Sequence, residues 1–311
     1  AESNEPGENE ITDLVIPNTL TRELETFNWL YSQRAEDSEN LTQLVDGLLE
    51  ANPEGTLSPG IAEEWGSEDG GKTWTFKIRE GVKWVDMNGN EKGEVVAEDF
   101  ATGLEWVLNF YKNDSSNTSM PLEMIEGAEE YYEYTKTLSK EEAYALTADE
   151  GSKFRETVGI ETPDEYTVVY TCLAEKPYFD TLATYQSLYP MSKAMIEELG
   201  GIDATKAMNN ETMWYNGPYT MTSYIQGNEK IFTKNPLYWD TDCTLFDTVT
   251  VKLVESNDVA FQLYENNEVD YVQLTESQLT TIARDPSHPL YDYLVPDVPS
   301  HFSYQMQFNY N

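Results

Sequence analysis

Between Lys72 and Trp84 the chain reads KTWTFKIREGVKW, and its apolar residues fall on alternate positions. Trp74, Phe76 and Ile78 face one way; Thr75, Lys77 and Arg79 face the other. A period of two sets one face of a strand against a core, whereas a helix would scatter the same residues around its circumference. Glu80-Gly81 breaks the run, and Val82 and Trp84 resume it, so the segment is expected to form a half-buried hairpin. Directly downstream the period changes. In AEDFATGLEWVLNFY, Phe100, Leu104, Val107, Leu108 and Tyr111 share one helical face. Glu98 and Asp99 occupy the first turn, where negative charge complements the helix dipole. Strand followed by amphipathic helix predicts a mixed α/β fold.

The joint between these two periods, WVDMNGNEKGEVVAEDF, carries Asp86, Asn88, Asn90, Glu91 and Glu94. Oxygens at Asp86, Asn88 and Asn90 match the first three positions of a calcium loop. Glu91 stands where that loop needs Gly, and Ala97 where it needs the closing Glu. Asn88-Gly89 is instead a reverse-turn pair, because both residues tolerate positive φ. The joint is therefore expected to be a turn.

Further elements follow from the same patterns. TDLVIPN reads as a strand ending at Pro17. ENLTQLVDGLLE (39–50) places Leu41, Leu44, Val45, Leu48 and Leu49 at helical spacing, with Ser38 as its cap, and residues 52–60 form a loop. Residues 121–149 read as acidic helix interrupted near Ser139. Hairpins are expected around Thr162-Pro163-Asp164 and Gln226-Gly227-Asn228, and a strand over 247–254. Residues 256–274 read as a capped helix, an exit at Asn266-Asn267 and a strand, with Thr275 and Gln278 boxing the next helix. Tyr304–Phe308 alternates like another strand.

Fifty-seven acidic residues against 19 basic ones give a net charge of −38. Such a surface repels nucleic acid and anionic membranes. Aromatics at 13% exclude a disordered chain. No apolar run is long enough to span a bilayer. The polar start, residues 1–10, reads as a flexible tether. Cys172 and Cys243 do not make a disulfide scaffold, and His288 and His301 lie far from both in sequence, so no metal or cofactor is expected. G-x-S-x-G, H-E-x-x-H and phosphate-loop motifs are absent, so no catalytic residue is assigned.

Taken in order, LVDGLLE, LSPGIAEEW, DGGKTWTFKIREGVKW, AEDFATGLEWVL, EKPYFDTL, YNGPYTM, KNPLYWD and NEVDYVQL resemble the oligopeptide-binding family of solute-binding proteins of ABC transporters. The pieces cover nearly all of residues 11–311. Val96 stands where Thr is common in that family, and the turn at Asn88-Gly89 is slightly expanded. The resemblance implies a periplasmic-binding-protein type II-like fold. Domain I would comprise residues 11–58 and 186–311, and the inserted domain II residues 59–185. The jaw-like domain III would be absent, leaving one wall of the cleft, so that this chain alone binds peptide weakly or not at all. It further implies a monomeric, non-enzymatic receptor, extracellular or periplasmic, or a cell-surface lipoprotein whose lipid anchor lies outside this chain. Its partners would be an oligopeptide and the permease subunits of an importer.

A general peptide binder pairs the ligand main chain, because backbone hydrogen bonds do not depend on side-chain identity. By resemblance that role falls on Gln33, Arg34 and Ala35, with Trp29 and Tyr31 nearby. Gln273, Leu274 and Thr275 end a strand at the crevice. His301, Tyr304 and Gln305 lie on the strand toward the missing domain. Plain roles compete: core packing for Trp29 and helix capping for Thr275. A same-fold receptor for an oligosaccharide or signalling peptide stays open, a nickel chelate is disfavoured by the two histidines, and a secreted hydrolase is the remaining alternative.

Overall fold

A computed structural model describes residues 12–19, 23–32, 34–52, 55–114 and 116–295. The expected strand at 304–308 and the tether at 1–10 lie outside them.

The chain begins with β1 (Asp13–Asn18), followed by helix α1 (Ala35–Leu41). The helix expected over 39–50 is thus shifted. It starts beyond Arg34, not at Ser38, and stops at Leu41. Leu44, Val45 and Leu48 are fully buried, but on a turn, and Leu49 opens β2 (Leu49–Ala51). The turn forms because distant backbone claims its carbonyls. Gln43 and Leu44 accept from Tyr219, Asn216 and Gly217; Gly47 and Leu48 accept from Ile61, Gly60 and Ala62. Buried carbonyls need partners, and these partners outcompete the helical ladder. β2 pairs antiparallel with β3 (Leu57–Pro59).

β4 (Ala62–Gly66) and β5 (Thr73–Ile78) pair antiparallel, and Trp74, Phe76 and Ile78 are buried as their alternation requires. The expected hairpin across Glu80-Gly81 does not form. β6 (Lys83–Val85) leaves that sheet and pairs with β7 (Glu91–Glu94). The joint between them is the turn. Gly89 has φ +78°, and one Asp86 carboxylate oxygen accepts from the Asn88 and Asn90 N–H groups at 2.8 and 3.0 Å.

Helix α2 (Ala97–Leu108) follows. Asp99 ties it to the sheet: its carboxylate accepts from Trp84 Nε1 at 2.8 Å and from the Val96 N–H at 3.3 Å. Trp84 in turn stacks on Trp29, with ring centroids 6.2 Å apart. The acidic stretch breaks into α3 (Ser119–Met124), α4 (Ala128–Lys136) and α5 (Lys140–Tyr144), with Ser139 capping α5.

β8 (Ile160–Asp164) and β9 (Thr167–Thr171) turn at Glu165-Tyr166, just beyond the expected position, and complete the sheet β4-β5-β9-β8. The second four-stranded sheet has the order β1-β12-β11-β10, from β10 (Tyr219–Ile225), β11 (Glu229–Lys234) and β12 (Thr248–Leu253). β1 joins it parallel to β12, from Asp13↔Thr248 to Asn18↔Leu253. The helices Asn257–Glu265 and Glu276–Ala283 carry the expected caps, Ser256 and Thr275, and Asn267 takes φ +59°. The strand expected before Thr275 is not formed. Asp270 alone reaches β1: its N–H donates to the Val15 carbonyl and its carboxylate accepts from the Val15 N–H. One side chain thereby takes the place of the next main-chain rung. Both cysteines are free thiols, Cys172 buried and Cys243 exposed.

Gly47 packs against Tyr189 so tightly that an added Cβ would lie 2.3 Å from the ring. Gly47→Ala is therefore expected to destabilise the fold by about 2 kcal/mol or more in urea unfolding. At Gly66 a Cβ meets nothing within 4 Å, and Gly66→Ala should stay within about 0.5 kcal/mol.

Burial pushes the Asp99 carboxyl up to about 7. The folded chain keeps a proton that the unfolded chain releases near its ordinary value of 3.8. This contribution is complete at acid pH and is lost as pH rises from about 4 to about 7. Asp99→Asn, which keeps an acceptor oxygen, should flatten the decline in urea midpoint between pH 5 and pH 8.

Candidate functional site

Residues 23–32, with Arg34, form a shaped segment without regular structure. Asn28 sets its turn: its side-chain oxygen accepts the Leu30 N–H at 3.1 Å, and its carbonyl accepts the Tyr31 N–H at 3.1 Å. Trp29 and Leu30, both fully buried, pin that turn to the core. Trp29 donates its Nε1–H to the Pro190 carbonyl at 3.0 Å. It therefore supports the segment from beneath and has no surface to line a pocket, which corrects its placement as a lining residue.

Asp37, at the start of α1, closes the segment from the other side. Its buried carboxylate accepts the Glu25 N–H at 2.9 Å and the Ser32 hydroxyl at 2.5 Å. The Ser32 Oγ then accepts the Arg34 N–H at 3.1 Å. The Arg34 guanidinium is held by Glu25 at 3.1 Å and Glu36 at 3.7 Å. Its charge is thus largely met within the protein.

A groove of about 400 Å³ opens here, lined by Glu25, Thr26, Tyr31, Ser32 and Arg34, and on the far side by Asp114 and Ser116. Asp114 and Ser116 come from the loop after α2, which is anchored at its root. Lys112, buried, donates to Glu105 and to the Leu146 carbonyl, each at 2.6 Å, while Tyr131 and Asn109 also donate to Glu105. Lys206 holds the loop through the Tyr111 carbonyl and Asp114, at 2.7 and 2.8 Å. Asp114 and Asn117 take φ +47° and +50°, a left-handed conformation that Asp and Asn tolerate better than other side chains. Ser116 donates its hydroxyl to the Tyr31 carbonyl at 2.6 Å, clamping the loop to the segment.

In this groove most main-chain groups are taken. The Tyr31 and Arg34 N–H groups are internally bonded, and the Arg34 carbonyl accepts from Ser38 within α1. The N–H and carbonyl of Ser32 have no hydrogen-bond partner among the described residues. Glu25 and Asp114, both well exposed, make the rim acidic.

The expected residues do not all meet. Tyr31 and Arg34 share the groove; Ala35 is exposed on the first residue of α1. Gln273 lines a different groove of about 630 Å³, whose walls include Ile16, Phe232, Val251 and Tyr271. The two grooves share no lining residue. Leu274 is half-buried, and Thr275 caps the next helix, its Oγ1 accepting the Gln278 N–H at 3.4 Å. Gln33, His301, Tyr304 and Gln305 lie outside the described residues. Asp114 and Ser116 went unrecognised in sequence; the signal was NDSSN (113–117), a run of residues suited to tight turns directly after a helix. Among the described residues no group of three or more His, Cys, Asp or Glu is arranged to hold a metal ion.

Ser116→Ala removes the clamp on Tyr31. Hydrogen exchange at residues 31–35 should accelerate roughly 5- to 10-fold, as expected for about 1 kcal/mol of lost local stability, while exchange within β5 and β9 stays unchanged.

Residues 56–311 match the family model for bacterial extracellular solute-binding proteins, family 5. The periplasmic oligopeptide-binding protein OppA of Haemophilus influenzae is 30% identical over 80% of this chain and 41% of its own length. The oligopeptide-binding protein AmiA of Streptococcus pneumoniae is 29% identical over 76% of this chain and 33% of its own length. Among solved structures, Haemophilus influenzae OppA in complex with RPPGFSPFR superposes with a TM-score of 0.71 at 27% identity, covering 89% of this chain and 49% of that one. Listeria monocytogenes OppA bound to peptide gives the same TM-score at 20% identity, which speaks for the fold. The chain thus spans less than half the length of these relatives.

Proposed function

The chain belongs to the bacterial extracellular solute-binding proteins of family 5, and we propose that it is the peptide-capturing wall of an importer's receptor, which holds oligopeptides outside the cytoplasmic membrane and passes them to a permease. The observation that carries this reading is the groove between Tyr31, Ser32 and Arg34 on one side and Asp114 and Ser116 on the other, where Ser32, largely buried, has an N–H and a carbonyl without a hydrogen-bond partner among the described residues, beside an ion-paired Arg34. Such a surface pairs a ligand's main chain while leaving side chains unread, which is what a receptor for varied peptides needs. The curated relatives bear names of oligopeptide-binding proteins, and the reading extends that binding to this chain.

Residues 11–58 with 186–311 form domain I in this proposal, and residues 59–185 the inserted domain II. The opposing wall of the cleft corresponds to the part of the relatives that this chain does not span. Capture then proceeds by closure of two walls, with no bond made or broken, so the protein is not an enzyme. Gln273, Leu274 and Thr275 belong to the same wall in this proposal, with Gln273 lining a separate groove. The receptor acts as a monomer, periplasmic or lipid-anchored at the cell surface. Among the described residues no helix is long and apolar enough to cross a membrane.

Isothermal calorimetry of this chain, beside a version extended to the relatives' length, tests the proposal with mixed oligopeptides and with oligosaccharides. Peptide heats in the longer version, with weak or undetectable heats in the 311-residue chain, are expected. Saturable binding of oligosaccharides alone would replace peptide capture by a sugar receptor of the same fold.

A further inference from the structure

A third cavity, of about 430 Å³, lies apart from the groove beside Arg34. Asp46 and Glu50 line it together with Tyr189, Tyr238 and Cys243, and no Lys or Arg is among the lining residues. Asp46 is buried, on the turn that follows α1. One of its carboxylate oxygens accepts from the Tyr238 hydroxyl at 2.9 Å and from Trp239 Nε1 at 3.1 Å. Its own N–H donates to Asn216 at 2.8 Å. The Arg79 guanidinium, at the end of β5, lies over the other side of this linkage, 4.1 Å from the centre of the Trp239 ring. Arg79 is also fixed by the Gly60 carbonyl at 3.2 Å and by Glu63 at 3.7 Å.

Asp46 therefore holds Trp239, and Trp239 carries Arg79. This path joins the segment between β11 and β12 to the sheet β4-β5-β9-β8. We propose that Asp46, with Trp239 and Arg79, forms a proton-operated clasp between the two four-stranded sheets, closed when Asp46 is protonated and loosened when it ionises.

The facing groups set the direction. Glu50 on β2 and Asp240 beside Trp239 both oppose a second negative charge here. Tyr238 and Tyr189 are neutral, and burial holds both hydroxyls protonated. Cys243 is likewise held as the thiol, chiefly by Asp240. Arg79 meets the Trp239 ring, while the carboxylate is bonded to the indole Nε1. Two neutral donors meet the ionised form, and desolvation outweighs them, so the carboxyl is pushed up to about 7. Ionisation adds charge to a cavity that has no cation in its lining, and hydrating that charge draws Asp46 away from Trp239.

The test is ¹⁹F NMR of the chain labelled with 5-fluorotryptophan, with the Trp239 resonance assigned by Trp239→Phe. Between pH 5 and 8.5 that resonance is expected to titrate with a midpoint near 7. Trp84, bonded to Asp99, reports a separate titration on its own line. Asp46→Asn should abolish the Trp239 titration and hold the resonance at its acid position. Should that variant fail to fold, Glu50→Gln provides the second arm, because it removes a facing charge without touching the Asp46 bonds. Its midpoint is expected to move down by about half a pH unit or more. A Trp239 resonance that is flat across the range, one that still titrates in Asp46→Asn, or a midpoint unmoved in Glu50→Gln would overturn the clasp.

Discussion

The fold depends on four carbonyls, those of Gln43, Leu44, Gly47 and Leu48. They lie on a turn that looks helical in sequence, and they accept hydrogen bonds from two distant places, residues 60–62 and residues 216–219. Three parts of the chain meet at this turn. Two glycines make the approach possible. A Cβ on Gly217 would stand 2.7 Å from the Leu44 carbonyl carbon, and one on Gly60 2.9 Å from the Gly47 oxygen. The backbone itself is the joint here, and its cost is that no side chain fits at either position.

That joint explains where sequence patterns succeeded and where they failed. Alternation at Trp74, Phe76 and Ile78 and the helical period of α2 are local properties; β5 formed where it was read, and α2 did so up to Leu108, leaving Tyr111 on the turn beyond it. Helix caps at Ser256 and Thr275 were legible for the same reason, since a cap needs only its own next turn; Ser139 was read as an interruption and proved to cap α5. The leucines of 41–49 were read correctly as buried and wrongly as one helix, because burial is written in the side chains while the competing partners for their carbonyls are not. The hairpin assigned to residues 72–84 failed similarly. Each strand found a better partner in another sheet, β9 for one and β7 for the other.

The groove divides along the same line. Tyr31 and Arg34, named through resemblance, line one groove together. Asp114 and Ser116 belong to a loop that only tertiary structure brings opposite them. Gln273 was grouped with them on the expectation of a common crevice, and the structure places it on another face of the same region. Trp29 shows the converse: an aromatic beside a segment expected to meet ligand proved to be that segment's foundation, sealed against Trp84 and Pro190.

The parallel pairing of β1 with β12 bears on how this chain comes to be folded. Among the described residues β1 has no strand partner until Thr248 is available, so a strand near the start of this sequence is satisfied only after β10 and β11 have been made. Closing so long a loop is slow, and until it closes the Leu14–Ile16 stretch presents a bare apolar edge. A chain with this topology is suited to being held extended until its synthesis has passed β12. Its strong net negative charge then keeps one unfinished copy from adding its edge to another.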